Sequence, residues 1–137
     1  MDTKDRKQIG RVGLSMAVNY FTINGYTVSL PINDTQWYDL IIEKDDNFQT
    51  VQCKATATED STIDFRCTGG TDGGVYDNAL EHPIDILFCV NKDYKCWVIP
   101  TKDLLDAGVK KSIKLREELT KNGQGFQTCP YLREVIP

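Results

Sequence analysis

The sequence predicts an α/β (α+β) fold in which helices flank a mixed central β-sheet. An amphipathic helix opens the chain, two strands joined by a short turn follow, and the run Ile84 to Val90 is apolar throughout, as in strands buried on both faces. The order of helix, hairpin strands, further strands and helix is typical of a sheet covered by helices. A length of 137 residues suits one domain spanning residues 1–137.

The first helix is predicted from Lys4 to Asn24, because apolar residues recur there every three or four positions and so share one face. The residues of that face are Ile9, Val12, Gly13, Met16, Ala17, Tyr20 and Phe21. Asn24 and Gly25 are typical of a helix end, since glycine readily adopts positive φ. A short strand from Tyr26 to Leu30 is expected next, closed by Pro31.

A β-hairpin is predicted in the next segment of the chain. The strand Trp37 to Glu43 precedes the polar turn Lys44 to Asn47, and Phe48 to Ala55 alternates with period two. A turn this short implies antiparallel pairing of the two strands.

The remaining elements are weaker predictions, except for the apolar strand. They are a strand from Ser61 to Thr68, a helical turn from Tyr76 to Glu81, strands Ile84 to Val90 and Cys96 to Ile99, a short helix Lys102 to Leu105 capped by Thr101, and a last helix Lys110 to Lys121 ended by Asn122 and Gly123.

Three residues of the predicted hairpin are candidates for catalysis. Asp39 lies at the start of one strand, and Gln52 and Lys54 lie two residues apart on the other, so their side chains share a face. Mg²⁺ prefers oxygen ligands, which a carboxylate and an amide provide. A lysine beside the metal can stabilise charge that develops on a phosphate. The three residues therefore suit phosphodiester hydrolysis, with Asp39 and Gln52 as metal ligands.

The spacing of these three residues is a weak signal by itself, because each residue type is common. The competing interpretation makes Asp39 a turn residue at the end of a loop. Gln52 and Lys54 would then be the solvent face of an ordinary strand.

Several short segments together resemble the PD-(D/E)XK nucleases, especially the group I intron homing endonucleases of that fold and the archaeal Holliday junction resolvases. The segments are Gly10 to Gly13, Asn24 to Tyr26, Pro31, Tyr38 to Ile42, Val51 to Ala55, Pro83 to Leu87 and Trp97 to Pro100. Their order and spacing carry the resemblance, which covers about Lys4 to Leu105. It implies a restriction-endonuclease-like core and DNA cleavage with Mg²⁺.

The resemblance implies a role for each candidate residue and reveals one departure. Asp39 would bind the metal, Gln52 would help to ligate metal or water, and Lys54 would act near the attacking water. Many members carry Glu directly after the second glycine of the helix, where this chain has Leu14. Three explanations stay open: the metal has fewer carboxylate ligands, Glu43 or another acid substitutes, or activity is lost.

The charge distribution bears on whether the protein binds nucleic acid. The net charge is −4, whereas nucleic-acid-binding domains are usually basic, yet basic residues cluster in the first helix. We predict that Lys4, Lys7 and Arg11 bind DNA phosphates, the competing view being a solvated helix face.

Other features indicate where the protein acts. No apolar run is long enough to cross a bilayer, and the polar N-terminus is unlike a signal peptide. The five cysteines form no CxxC pair and are interpreted as free thiols. The expected location is intracellular, in a phage- or mobile-element-encoded protein.

Three functional hypotheses follow. The first is a metal-dependent DNA endonuclease of the homing or junction-resolving type, working as a dimer or tetramer because a small domain reads little DNA alone. The second is an inactive DNA-binding module of the same fold, which Leu14 favours. The third is an immunity or adaptor protein that binds other proteins, which the net acidity favours.

Overall fold

The computed structural model describes residues 3–33, 36–64, 84–106 and 112–115. The elements of these ranges are, in chain order, α1 (Thr3–Ile23), β1 (Thr27–Ser29), β2 (Leu40–Lys44), β3 (Asn47–Ala55), β4 (Thr62–Asp64), β5 (Ile86–Val90), β6 (Cys96–Pro100), α2 (Thr101–Asp106) and β7 (Ser112–Lys114).

Five strands form a mixed central sheet in the order β1-β2-β3-β5-β6. The β3–β5 pair is parallel, and the other neighbours are antiparallel. A parallel pair needs a long connection, and the chain between β3 and β5 provides it. The predicted fold class, a mixed sheet with flanking helices, is confirmed.

Helix α1 covers one face of this sheet. Its side chains Ile9, Ala17 and Phe21 recur at spacings that place them on one stripe of the helix, and all three are buried. They pack on the sheet residues Leu40, Ile42, Val51, Ile86, Phe88, Val90 and Cys96. The predicted amphipathic helix is therefore present, with its apolar face on the sheet.

Helix α1 ends where the sequence predicts. Gly25 adopts a φ of 87°, the N–H of Tyr26 donates to Phe21 O at 3.0 Å, and the N–H of Gly25 donates to Thr22 O at 3.1 Å. This pair of bonds is the Schellman pattern, which satisfies carbonyls that the helix leaves unpaired. The chain then turns directly into β1.

The second face of the sheet is covered by a separate apolar cluster. It consists of Ile63, Ile84, Leu87, Cys89, Trp97, Ile99, Leu104 and Leu115, with Tyr38 packed against it. Since alternate residues of β5 belong to the two clusters, all five of its residues are buried. The prediction of a strand buried on both faces is correct.

The hairpin between β2 and β3 has a two-residue turn. Asp45 and Asp46 both have positive φ, 53° and 65°, as in a type I′ turn. This turn fixes the register in which Lys44 lies opposite Asn47 and Leu40 opposite Val51. Strand β2 begins at Leu40, three residues later than predicted, because Trp37 to Asp39 are bent.

The predicted helix from Lys110 to Lys121 is wrong at residues 112–114, which form β7. This strand pairs antiparallel with β4 in a two-stranded sheet, with Ile113 opposite Ile63. Ile63 is buried, so pairing and burial outweigh the helical preference of the local sequence. The third predicted strand is confirmed for Thr62–Asp64, but it lies outside the central sheet.

The predicted capping role of Thr101 is also wrong. Its hydroxyl donates to the carbonyl of Ile84, so it ties the start of α2 to the start of β5. The helix itself runs from Thr101 to Asp106. The predicted helical turn Tyr76 to Glu81, and the helix end at Asn122 and Gly123, lie outside the described residues.

Free thiols are present where they were expected. Cys53, Cys89 and Cys96 are free, and the last two are buried; Cys67 and Cys129 lie outside the described ranges. In the described part of the chain, no helix has the length and apolar character that crossing a membrane requires.

Candidate active site

Asp39 lies at the edge of β2, beside the second half of β3. Its N–H donates to Val51 O at 2.9 Å, one step out of register with the ladder, in which Leu40 is the residue opposite Val51. Asp39 therefore lies just outside the paired residues of β2, with its N–H bonded to Val51 and its carboxylate bonded to Cys53. The hairpin thus brings together Asp39 and Cys53, which are 14 positions apart in the sequence.

The Asp39 carboxylate is held by the backbone of β3. Its Oδ2 accepts a hydrogen bond from the N–H of Cys53 at 2.7 Å. A short bond from a backbone donor to a carboxylate is among the stronger hydrogen bonds of proteins. It fixes the orientation of the carboxylate and leaves Oδ1 for a ligand.

Gln52 and Lys54 lie on the sheet face that α1 does not cover. Val51, between them and the turn, is fully buried under α1, and alternation along the strand turns its neighbours to the other face. Both side chains are half-buried. The predicted shared face of Gln52 and Lys54 is thus present.

One atom of this group lacks a partner. The side-chain oxygen Oε1 of Gln52 is buried and accepts no hydrogen bond from any residue of the described chain. An unsatisfied buried polar group costs about 1–3 kcal/mol. An oxygen left in this state beside a carboxylate is a candidate metal ligand.

The environment of Asp39 raises the pKa of its carboxyl above the ordinary value of 3.8. Desolvation is the largest cause, and the Cys53 hydrogen bond and the nearby Lys54 charge only partly oppose it. The residue as a whole is exposed, so the desolvation concerns the carboxylate end that lies against β3. A bound cation would offset this cost by stabilising the charged form.

Lys54 has a charge that reaches this carboxylate, as its effect on the Asp39 pKa indicates. Burial raises the pKa of the Cys53 thiol, which points to the α1 face and so has no role as a thiolate.

The positions of Leu14 and Glu43 bear on what replaces the glutamate that many family members carry after the second helix glycine. Leu14 is half-buried and packs in the apolar cluster between α1 and the sheet, so it offers no ligand. Glu43 lies four residues beyond Asp39 along β2, about 13 Å away at the usual rise of a strand. Its Oε2 accepts the N–H of Asp46 in the hairpin turn, so among the three open explanations a substitution by Glu43 is the least supported.

The basic residues of α1 lie on one side of the helix. At about 100° per residue, Lys4, Lys7 and Arg11 fall within about 60° of one another. Lys7 and Arg11 are exposed, whereas the Lys4 side chain lies outside the described part. A Cβ on Gly13 would lie 3.9 Å from the Ala55 Cβ, so this half of α1 lies at the Lys54 end of β3.

Comparison with known proteins identifies the family and the fold. A family model described as PD-(D/E)XK endonuclease matches residues 2–129. The chain belongs to this endonuclease family. The solved structure of a bacterial homing endonuclease, I-Ssp6803I, is similar over 89% of this chain and 84% of that chain, with a TM-score of 0.62 and 19% sequence identity. Comparison with curated proteins found no match.

The family and the fold suspected from the sequence are therefore confirmed, including the likeness to a homing endonuclease. The matched region contains all of the candidate residues, Asp39, Gln52, Lys54, Lys4, Lys7, Arg11 and Leu14. The similarity to this structure, at 19% identity, concerns the fold alone. The roles of individual residues follow from their chemistry.

The residues present fit a divalent metal with few protein ligands. Among the described residues, no group of three or more His, Cys, Asp or Glu side chains could hold an ion. Mg²⁺, however, is commonly held by one or two carboxylates together with water and substrate phosphate. Asp39 Oδ1 and the unpaired Gln52 Oε1 are oxygen donors of the required kind.

Sequence reasoning missed the backbone of Cys53. In a strand, the N–H and C=O of one residue point to the same side, so the Cys53 carbonyl also faces the edge where β2 has ended. The position of Cys53 between the two candidate residues Gln52 and Lys54 was a possible indication of this role. A backbone group carries no side-chain chemistry, however, and only the register of the hairpin reveals it.

Proposed function

We propose that this family member is a metal-dependent endodeoxyribonuclease, with Asp39, Gln52 and Lys54 as its catalytic centre and Mg²⁺ as its cofactor. The observation that carries the proposal is the Cys53-to-Asp39 hydrogen bond of 2.7 Å. It holds the carboxylate against β3 at the residue next to Gln52, whose side-chain oxygen has no hydrogen-bond partner in the described chain.

Each residue has a distinct task in phosphodiester hydrolysis. Asp39 Oδ1, Gln52 Oε1 and the Cys53 carbonyl would hold the metal. The metal, when bound, polarises a phosphoryl oxygen and activates a water molecule. The Lys54 ammonium stabilises the charge that develops on the phosphate and helps to orient the water. Cys53 N–H keeps the Asp39 carboxylate in place throughout.

The DNA would approach along the side of α1 that bears Lys4, Lys7 and Arg11. These cations offset the net charge of −4 locally, because an exposed basic face attracts phosphates whatever the sum of the charges. The likeness to a homing endonuclease favours duplex DNA as substrate, and branched DNA is the alternative.

A cleavage assay tests the proposal. Purified protein is incubated with supercoiled plasmid, linear duplex and four-way-junction DNA, with Mg²⁺ or EDTA, and with Asp39→Asn protein as the control for contaminating nucleases. We expect strand breaks only with wild type and Mg²⁺. The pattern of cut substrates separates homing-type from junction-resolving activity.

The second candidate is an inactive DNA-binding module of the same fold. Leu14 favours it, since a leucine stands where many relatives carry a metal-binding glutamate and it packs in the apolar layer. DNA binding without cutting under any metal would identify this module. An absence of both binding and cutting would favour the protein-binding hypothesis.

A further inference from the structure

The turn between β5 and β6 holds a tyrosine in a backbone conformation that tyrosine rarely adopts. Tyr94 has a φ of 62°, in the left-handed region, and its side chain is 45% exposed. A bulky side chain in this conformation is uncommon and costs folding free energy. An exposed tyrosine alone is ordinary, but one held at such a cost indicates a use outside the fold.

This turn is a three-residue hairpin loop. The N–H of Tyr94 donates to Asn91 O at 3.0 Å, and the N–H of Asn91 donates to Lys95 O at 3.0 Å. Loops of this kind place their third residue in the left-handed region, where glycine or asparagine fits best. The sequence therefore has a tyrosine at the position where a smaller residue would be more stable.

Groups other than the Tyr94 ring hold the turn in place. The side-chain oxygen of the buried Asn91 accepts the N–H groups of Asp93 and Lys95, both at 3.0 Å. Lys92 forms an ion pair of 2.7 Å with Glu59, which connects the turn to the loop after β3. The fold of the turn is therefore independent of the exposed ring.

The turn lies at the same end of the sheet as Lys54. Lys54 is opposite Cys89 in the β3–β5 ladder, and Asn91 is two residues beyond Cys89, about 7 Å along the strand. The major groove of B-DNA is about 12 Å wide and the minor groove about 6 Å. One duplex can therefore have a phosphate at Lys54 and a groove at the turn.

The charge of the turn also suits DNA. Lys92 and Lys95 are basic and Asp93 is acidic, so the turn is net positive in a chain whose net charge is −4. Proteins that deform DNA insert an exposed apolar or aromatic side chain between bases while basic residues contact the neighbouring phosphates. A tyrosine ring on a rigid, locally basic turn has this chemistry.

We propose that the β5–β6 turn is a second DNA-binding element, in which the Tyr94 ring inserts as a wedge at a base step. This inference rests on the proposed function, because it requires DNA to bind beside the turn. The cost of the left-handed conformation is met during folding, so the ring is already presented when DNA arrives.

Two substitutions at Tyr94 separate a contact with DNA from a role in the fold. Tyr94→Asn removes the ring, and asparagine tolerates the left-handed conformation, whereas Tyr94→Phe keeps the ring. Affinity for a short mixed-sequence DNA duplex is measured by fluorescence anisotropy in EDTA, and the unfolding temperature is measured without DNA. Tyr94→Asn should bind at least about fivefold more weakly, as when one aromatic contact with a base is lost. It should unfold at the same temperature as wild type or at a higher one, and Tyr94→Phe should bind as wild type does.

A matched control and the salt dependence of binding sharpen the test. Phe48→Thr removes a ring that is 68% exposed at the start of β3, at the opposite end of the sheet, and should leave DNA affinity unchanged. Tyr94→Asn should keep the salt dependence of wild type, because an uncharged ring releases no counterions from DNA. A loss of affinity with an unchanged salt slope is thus the signature of the proposed contact.

The outcomes separate this inference from the proposed function. Equal affinity of wild type and Tyr94→Asn for DNA would overturn the inference even if wild type cuts DNA in Mg²⁺. A clearly lower unfolding temperature for Tyr94→Asn would also overturn it, because the ring would then serve the fold. Weaker DNA binding by Tyr94→Asn would support it even if wild type cuts no DNA, and an absence of DNA binding by wild type would count against both.

Discussion

At the scale of single residues, the candidate site depends on one backbone contact. Cys53 N–H fixes the Asp39 carboxylate, and a substitution of the Cys53 side chain leaves that N–H in place. The orientation of the carboxylate is therefore independent of the side chain between Gln52 and Lys54. This explains how a small apolar residue can occupy that position without loss of the site.

Asp39→Asn should abolish cutting in Mg²⁺ and leave DNA affinity in EDTA nearly unchanged. An amide is a much poorer ligand for a hard cation than a carboxylate, and its shape is almost the same. Cleavage and binding assays on the folded variant check this. Asp45→Asn is the charge-matched control, because Asp45 lies in the exposed turn where asparagine tolerates positive φ. Equal cutting by wild type and Asp39→Asn would place the metal elsewhere.

Asp39→Asn should unfold at the same temperature as wild type at pH 7, or at a higher one. The pKa of Asp39 is raised in the folded protein, so its contribution to stability is present below the ordinary value of 3.8 and is lost as the pH rises through the folded value. At neutral pH the charged form therefore costs stability. Thermal denaturation at pH 7 without metal measures it, and a clear decrease would show that Asp39 has a mainly structural role.

Lys54→Ala should reduce the rate of cutting by about 10²–10³-fold, the usual loss when a preorganised group that stabilises the transition state is removed. Binding of DNA should weaken only slightly, because one cation is lost. Single-turnover cleavage at saturating protein separates the two effects. A loss confined to binding would assign Lys54 to the DNA surface instead of the catalytic centre.

At the scale of elements, helix α1 packs closely against the sheet at Gly13. A Cβ on Gly13 would lie 3.3 Å from Val90 Cγ2 and 3.7 Å from Val90 Cβ, whereas one on Gly10 would meet nothing within 4 Å. The helix therefore approaches the ends of β3 and β5 closely at Gly13. This approach sets the middle of α1 against the Ala55 end of β3 and the Val90 end of β5.

Gly10→Ala and Gly13→Leu form a pair that tests this packing. Gly10→Ala should raise the free energy of unfolding by about 0.5–1 kcal/mol, because alanine favours the helix and meets no neighbour. Gly13→Leu should lower it by about 1–3 kcal/mol, since a large side chain does not fit against Val90. Urea denaturation measures both. Equal stabilities for the two variants would contradict the close approach.

The basic side of α1 gives a second prediction at this scale. Lys7→Ala with Arg11→Ala should weaken DNA binding for all sequences alike and flatten its dependence on salt, because fewer counterions are released. Lys102→Ala is the control, since Lys102 is exposed on α2, at the opposite end of the sheet. Unchanged affinity in the double variant would make this cluster a solvated face only.

At the scale of the whole molecule, the chain is small for reading a long DNA site. Specificity beyond a few base pairs requires repeated copies of the reading surface, and symmetric oligomers provide them. We therefore expect a dimer or tetramer by analytical ultracentrifugation with DNA bound. A complex with one protein chain per cut duplex would contradict this expectation.

The sequence by itself determined the elements whose signals are local. The amphipathic period of α1, its glycine end, the polar hairpin turn and the apolar run of β5 each correspond to an observed element. The shared face of Gln52 and Lys54 followed from alternation along one strand. These predictions succeeded because neighbouring residues alone fix them.

Only the tertiary structure decided the features that depend on residues distant in the chain. Residues 112–114 form a strand because β4 is there to pair with them, and Thr101 bonds to Ile84 across the sheet. The hairpin register sets Asp39 against the Cys53 N–H, and it leaves Glu43 about 13 Å along the strand. Hydrogen bonds and burial between separate segments carry more free energy than local preference, and a local pattern contains no information about the partner segment.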